Sequence, residues 1–264
     1  MSMPAFRRRG GVLSGISVAV ATAGVLAGCA PAATVAGAPR AAAAAPSLAA
    51  PAAAAPSPEA TPEPAVPTLP DEVPGLGRRT LAAIPDDARQ VVVVTGDGRN
   101  SSRSRVVVHE RTPEGWRGGA SWPARNAQRG WTRDHHGGDR RSPIGVFGLT
   151  DAGGLKADPG TRLPYDRSGG FRIVGTGLEG EPLEGSFDYV VAIDYNRKPG
   201  TSPLDWTRPM GAAKGGGIWF HVDHGGPTHG CVGLSKAHMR QLLRTLDPDL
   251  HPVVVMGDAA SLSR

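Results

Sequence analysis

The chain has 264 residues, a formal charge of +5, 37 Gly and 25 Pro. Gly and Pro at nearly a quarter of the chain argue against long helical bundles and coiled coils. The mild charge, without a run of four basic residues, argues against a dedicated nucleic-acid binder. Two cysteines, Cys29 and Cys231, are too few for a disulfide-stapled scaffold or a four-cysteine zinc module.

In chain order, the first element is a leader. Arg7-Arg8-Arg9 make a positive start, and Val12–Leu26 make an apolar run shorter than the roughly 20 residues of a membrane-spanning helix. The run ends in Leu26-Ala27-Gly28-Cys29, small residues and then a cysteine. This is signal-peptide geometry over residues 1–28, and the last four residues resemble a bacterial lipobox, in which the cysteine becomes the lipidated first residue. The expectation is an exported lipoprotein, held to a membrane through Cys29 and facing the cell wall. With Cys29 acylated, Cys231 has no disulfide partner, and a lone thiol in an oxidising compartment calls for a chemical reason.

Residues 30–75 hold 18 Ala and 11 Pro and no aromatic residue. Such a segment cannot bury enough apolar surface to offset its ordering entropy, so residues 29–75 read as a linker. Residues 76–264 then form one folded domain, long enough for a core. Strand-like runs dominate it: Gln90–Thr95, Arg105–Glu110, Val146–Thr150, Phe171–Val174, Phe187–Tyr195, Gly217–Val222 and Pro252–Met256. The class expected is mainly β, sandwich- or barrel-like. One helix stands out: Ser235 is its N-cap, Met239, Leu242, Leu243 and Leu246 recur at helical spacing, and Pro248 follows its end.

Chemistry concentrates in Gly217–Ser235, GIWFHVDHGGPTHGCVGLS. Cys231 stands between a strand and the capped helix, with His221 ten residues earlier at the strand end. A cysteine attacks as thiolate and needs a base or a positive field to hold its pKa down. His221 can supply that, with a smaller share from the helix N-terminus. Alternation along the strand puts Trp219, His221 and Asp223 on one face. Trp219 is then expected to wall a groove and Asp223 to orient the imidazole. Gly230 permits a tight turn that aims successive backbone N–H groups at one point, as an oxyanion hole requires.

Thr228-His229-Gly230-Cys231-Val232, with His221 upstream, resembles the signature of the L,D-transpeptidase catalytic domain (YkuD-type), a β-rich cysteine acyltransferase family of bacterial cell walls. Ser142-Pro143-Ile144-Gly145-Val146-Phe147 is similar to a second element of that family. The resemblance spans roughly residues 88–258. It implies Cys231 as nucleophile, His221 as proton acceptor and donor, and His229, Gly230 and Thr228 as site-shaping residues, with backbone amides around Gly230 and Cys231 binding the oxyanion. Its substrates are peptidoglycan tetrapeptide stems: D-Ala is released, a thioester forms, and a neighbouring stem's diamino-acid amine resolves it as a 3→3 cross-link. No cofactor or metal is implied. Two departures stand out: the His221–Cys231 interval is short, and Gly233 occupies a place where members often carry Arg or Asn. A carboxypeptidase using water as acceptor is one alternative.

The alternative of another class is a zinc-binding lipoprotein using His221, His224, His229 and Cys231. Gly175-Thr176-Gly177-Leu178-Glu179-Gly180 fits G-x-G-x-x-G, but Pro182 and Gly185 leave no room for a dinucleotide-binding crossover helix, so it reads as a glycine-rich hairpin. His135-His136 and Arg140-Arg141 read as solvated surface pairs, and His109 as a sheet residue. The sequence carries no signal for an oligomeric state.

Overall fold

The computed structural model describes residues 69–264, so the leader, Cys29 and most of the Ala/Pro-rich segment lie outside the described residues. Thirteen strands follow in chain order: β1 (Gln90–Gly96), β2 (Arg103–Thr112), β3 (Gly115–Gly118), β4 (Trp122–Arg125), β5 (Trp131–Thr132), β6 (Ser142–Pro143), β7 (Gly145–Gly148), β8 (Ala152–Gly154), β9 (Tyr165–Arg167), β10 (Val190–Ala192), β11 (Trp219–Val222), β12 (Val232–Leu234) and β13 (Val253–Asp258). Eleven of them make one mixed sheet in the order β7-β13-β1-β2-β4-β12-β11-β10-β8-β9, with β3 added on β2, while β5 and β6 pair separately. Its helices are α1 (Arg78–Leu81), α2 (Lys236–Thr245) and α3 (Ala259–Leu262). The mainly β expectation holds. None of the described helices is long and apolar enough to cross a membrane.

The central strands β1 and β13 are buried on both faces. β1 lies between parallel β13 and antiparallel β2. Val92, Val94, Val254 and Met256 enter the main core under α2, with Met239, Leu242 and Leu243. Val91, Val93, Val253 and Val255 face a second cluster with Val73, Ala88, Trp116 and Leu262 of α3. An unbroken Val run is what a strand covered on both faces requires. Helix α2 is capped as expected, the Ser235 hydroxyl accepting the His238 N–H at 3.2 Å.

Several expectations are corrected. The packed chain begins before residue 76: Val73 is 2% exposed, and the Pro70 carbonyl accepts the Trp116 N–H at 2.8 Å. An averaged Ala/Pro composition hides a single anchoring valine. Phe171–Val174 is no strand; a 3-10 turn spans Gly169–Phe171, capped by the Ser168 hydroxyl accepting the Gly170 N–H. The long run Phe187–Tyr195 contributes only Val190–Ala192 to the sheet, because turn bonds from Ser186 to Leu183 and from Asp188 to Gly185 curl its start.

Candidate active site

Strands β11 and β12 are parallel neighbours joined by only nine residues, 223–231, with Phe220 beside Val232, His221 beside Gly233 and Val222 beside Leu234. Side chains of paired residues leave a sheet on the same side, and successive ones alternate. Phe220, Val222, Val232 and Leu234 therefore fill the main core. His221 points to the opposite face, and Cys231, two residues before Gly233, leaves the sheet on that side too. The two side chains border one cavity of about 130 Å³, together with Phe187, His224, Pro227, Thr228, His229 and residues of the 173–186 segment.

Cys231 does not stand at a helix entry. The three residues of β12 intervene before Ser235 caps α2, about 10 Å of extended chain. A helix-end field acts within the first turn, so it contributes little to the sulfur. The half-buried thiol instead donates weakly to the Gly217 carbonyl at 3.5 Å and accepts the Trp219 N–H at 3.4 Å.

The peptides on either side of Cys231 are both held by hydroxyls. Buried Ser142 donates from Oγ to the Gly230 carbonyl at 2.8 Å and accepts the Ala127 N–H at 3.1 Å. Buried Thr228 donates to the Cys231 carbonyl at 2.7 Å. In a trans peptide N–H and C=O point in opposite directions. Fixing the Gly230 carbonyl toward Ser142 therefore turns the Cys231 N–H away from it, which gives the Ser142-Pro143 element a role that spacing alone did not reveal. Gly230 allows close packing: a Cβ there would press on Ile218 Cδ1 at 2.7 Å. His229, exposed, stands at the cavity rim.

His221 is 3% exposed, and its Nδ1–H donates to the Val222 carbonyl at 2.9 Å. That bond leaves Nε2 without a proton and able to accept one. Desolvation pushes the imidazole down to about 4, outweighing the upward pull of the Val222 carbonyl and of Asp223, with neighbouring His224 adding to the fall. Desolvation also pushes the Cys231 thiol up to about 11, opposed only by the Trp219 N–H. The resting pair is thus neutral thiol and neutral imidazole, not the depressed thiol expected from sequence, because no charge close to the sulfur offsets its burial.

Asp223 does not orient the imidazole. Its carboxylate accepts the Gly225 N–H at 2.9 Å, lies 3.5 Å from Arg125 Nε, and faces a separate groove with Arg103 and Arg105. The strand ends at Val222, whose own carbonyl occupies Nδ1, so the alternation that would align residue 223 stops one residue short. Trp219 packs edge-on against Phe187 at 5.1 Å, and Phe187, not Trp219, meets the cavity.

Sequence reasoning missed Glu181 and passed over His224 except as a metal ligand. The His224 ring stacks on His221, 5.6 Å between centroids and 6° between planes, and its Nδ1 lies 3.0 Å from Glu181 Oε1. Burial would raise the Glu181 carboxyl, but its own and the Glu179 amide and His224 outweigh that and hold it below its usual range. A Cβ at Gly177 or Gly226 would overlap the carboxylate, so the two glycines form its cradle. The 175–182 segment is the hairpin expected, with Thr176 bridged to Pro182, and its Gly177 and Leu178 wall the cavity.

Stacked rings direct their nitrogens in parallel planes, and no three His, Cys, Asp or Glu side chains converge as a metal cage among the described residues. His135 is corrected as well: it is 5% exposed, 3.1 Å from Asp139 and packed on Tyr195, while His136 is exposed. Arg141 is tied to the Arg129 and Trp131 carbonyls and Asn100. His109 is a buried β2 residue, as expected.

A thiol and a neutral imidazole with a bare nitrogen sharing one cavity, on two interior strands of a mixed sheet, is an arrangement suited to thiol-dependent acyl chemistry. The family model for the YkuD L,D-transpeptidase catalytic domain matches residues 86–255, and the chain belongs to that family. Among solved structures, Bd1075 of Bdellovibrio bacteriovorus is similar at 17% identity and a TM-score of 0.37, over 72% of this chain and 53% of that one. The chain thus spans about half the length of that protein. No curated protein matches it.

Proposed function

We propose that this protein is a peptidoglycan L,D-transpeptidase acting through Cys231 and His221. The observation that carries the reading is the shared cavity, with His221 Nδ1–H fixed on the Val222 carbonyl and Nε2 left as acceptor. As Sγ attacks the carbonyl preceding the terminal D-Ala of a tetrapeptide stem, its proton passes to Nε2 and the carbonyl electrons move to oxygen. The Cys231 N–H stabilises that oxyanion. Collapse breaks the C–N bond, the imidazolium protonates the departing amine, and D-Ala leaves with a thioester behind. A diamino-acid amine of a neighbouring stem then attacks, loses its proton to Nε2, and the thiol is restored as the 3→3 link forms. The neutral resting pair suits this order, since general-base removal of the proton during attack needs no preformed thiolate.

The same proposal places the domain in the cell envelope, exported by residues 1–28 and held to a membrane through a lipid on Cys29 at the end of the Ala/Pro-rich tether. Incubating the full chain with disaccharide-tetrapeptide and separating the products tests the reaction. Cross-linked dimer with released D-Ala supports it; tripeptide alone moves the assignment to the carboxypeptidase, and unchanged substrate overturns acyl transfer.

A further inference from the structure

Beyond β11, at the end opposite His221, the chain runs through Gly215, Gly216 and Gly217 with φ of +66°, +142° and +66°, conformations that side-chain-bearing residues rarely adopt. Their lack of side chains makes room for one group. A Cβ at Gly216 would overlap the Arg208 guanidinium, and a Cβ at Gly217 would lie 3.7 Å from its Nη2. The carbonyl of that same Gly217 is the one the Cys231 thiol touches at 3.5 Å. Gly217 is thus approached from two sides, by the Arg208 guanidinium next to its Cα and by the Cys231 thiol at its carbonyl.

The guanidinium is fixed from one edge. Its Nη1 donates to the Asp205 and Thr207 carbonyls at 3.1 and 2.9 Å, and its plane lies over the Trp206 ring, 4.9 Å from the centroid. Among the described residues no carboxylate lies within salt-bridge distance of it, and Nε and Nη2 donate to nothing. Paired N–H groups on one guanidinium edge match the two oxygens of a carboxylate.

We propose that Arg208 binds the free terminal carboxylate of the donor peptide, one residue beyond the carbonyl that Cys231 attacks. This rests on the acyl-transfer reading above and deepens it: the site selects peptides ending in an acid at that residue. One extended residue covers about 3.3–3.6 Å, and the carboxylate would be carried by the leaving amino acid past Gly217, the residue both groups touch.

The test uses the full chain as wild type, Arg208→Gln and Arg208→Lys, with iodoacetate and iodoacetamide as probes at one pH and the modification at Cys231 read by peptide mapping. The two reagents carry the same leaving group and differ in a carboxylate. Arg208→Gln should lower the iodoacetate-to-iodoacetamide rate ratio up to roughly fivefold, the span of a partly solvated charge pair. The iodoacetamide rate should stay put, and Lys should restore part of the ratio. In parallel, wild type should show a lower KM for a tetrapeptide ending in a free acid than for its C-terminal amide, with the preference lost in Arg208→Gln. An unchanged rate ratio in Arg208→Gln overturns the proposal, as does equal KM for acid and amide in wild type. Absence of any acyl-enzyme overturns the transpeptidase reading instead, and the haloacetate ratio still decides on Arg208.

Discussion

Replacing Ser142 with Ala isolates the one contact that ties the second motif to the nucleophile. The hydroxyl is fully buried, donates to the Gly230 carbonyl at 2.8 Å and accepts the Ala127 N–H at 3.1 Å, and both partners are themselves buried. Ser142→Ala leaves one acceptor and one donor without partners in the interior. Each such orphan costs about 1–3 kcal/mol, so a loss of roughly 2–6 kcal/mol is expected in equilibrium urea unfolding. The Gly230–Cys231 peptide also loses its anchor, and the N–H assigned to the oxyanion loses its aim. Acylation should fall about tenfold to a hundredfold, short of the loss on deleting an oxyanion donor outright. Alkylation by iodoacetamide builds no oxyanion and should change far less. Stopped-flow acylation by a carbapenem, set beside alkylation of the same preparations, separates the two effects. A Ser142→Ala protein with wild-type stability and wild-type acylation would refute the reasoning, since the hydroxyl would then hold nothing that matters.

Other outcomes follow from the same geometry. His221→Gln should nearly abolish acylation by the stem while leaving the pH profile of iodoacetamide alkylation in place, rising toward about 11, because the thiol is raised by its own desolvation; a wild-type alkylation plateau near neutral pH would contradict this. Wild-type acylation should be flat above about pH 5, since His221 holds its proton only near about 4, and a rate still climbing between pH 6 and 8 would point to another base. The unfolded chain takes up the His221 proton near pH 6.5 and the folded one near about 4, so stability falls as pH drops through that window. The contribution is up to about 3 kcal/mol, and His221→Gln should flatten that part of a pH series of urea midpoints. Arg197, buried between Asp151 and Asp194, leaves two interior carboxylates unpaired as Arg197→Met. That should cost about 3–5 kcal/mol in the same unfolding assay.

What was legible in the sequence follows periodicity and local chemistry. The Val run of β1 and the capped spacing of α2 are local patterns, and each stands where its pattern put it; Cys231 and His221 border one cavity, but strand β12 separates the thiol from the helix. What escaped depends on contacts between distant segments. Ser142 and Gly230 are 88 residues apart, and only the folded sheet brings them together. Glu181 reaches His224 through a cradle of two glycines that look like ordinary hairpin punctuation. Arg208 lies in a strandless stretch whose meaning rests on three glycines further along. Asp223 failed as an orienter for a local reason that alternation cannot detect, the last strand residue having used its own carbonyl on the imidazole. The thiol was expected to be held low by His221, whereas burial pushes it up.

The most direct test is intact-protein mass spectrometry of the full chain mixed with tetrapeptide stem. The account predicts an adduct of the stem less its terminal D-Ala, mapped to Cys231, formed slowly by His221→Gln and not at all by Cys231→Ala. An adduct of the same mass persisting in Cys231→Ala, or turnover of the stem with Cys231 blocked, would contradict it.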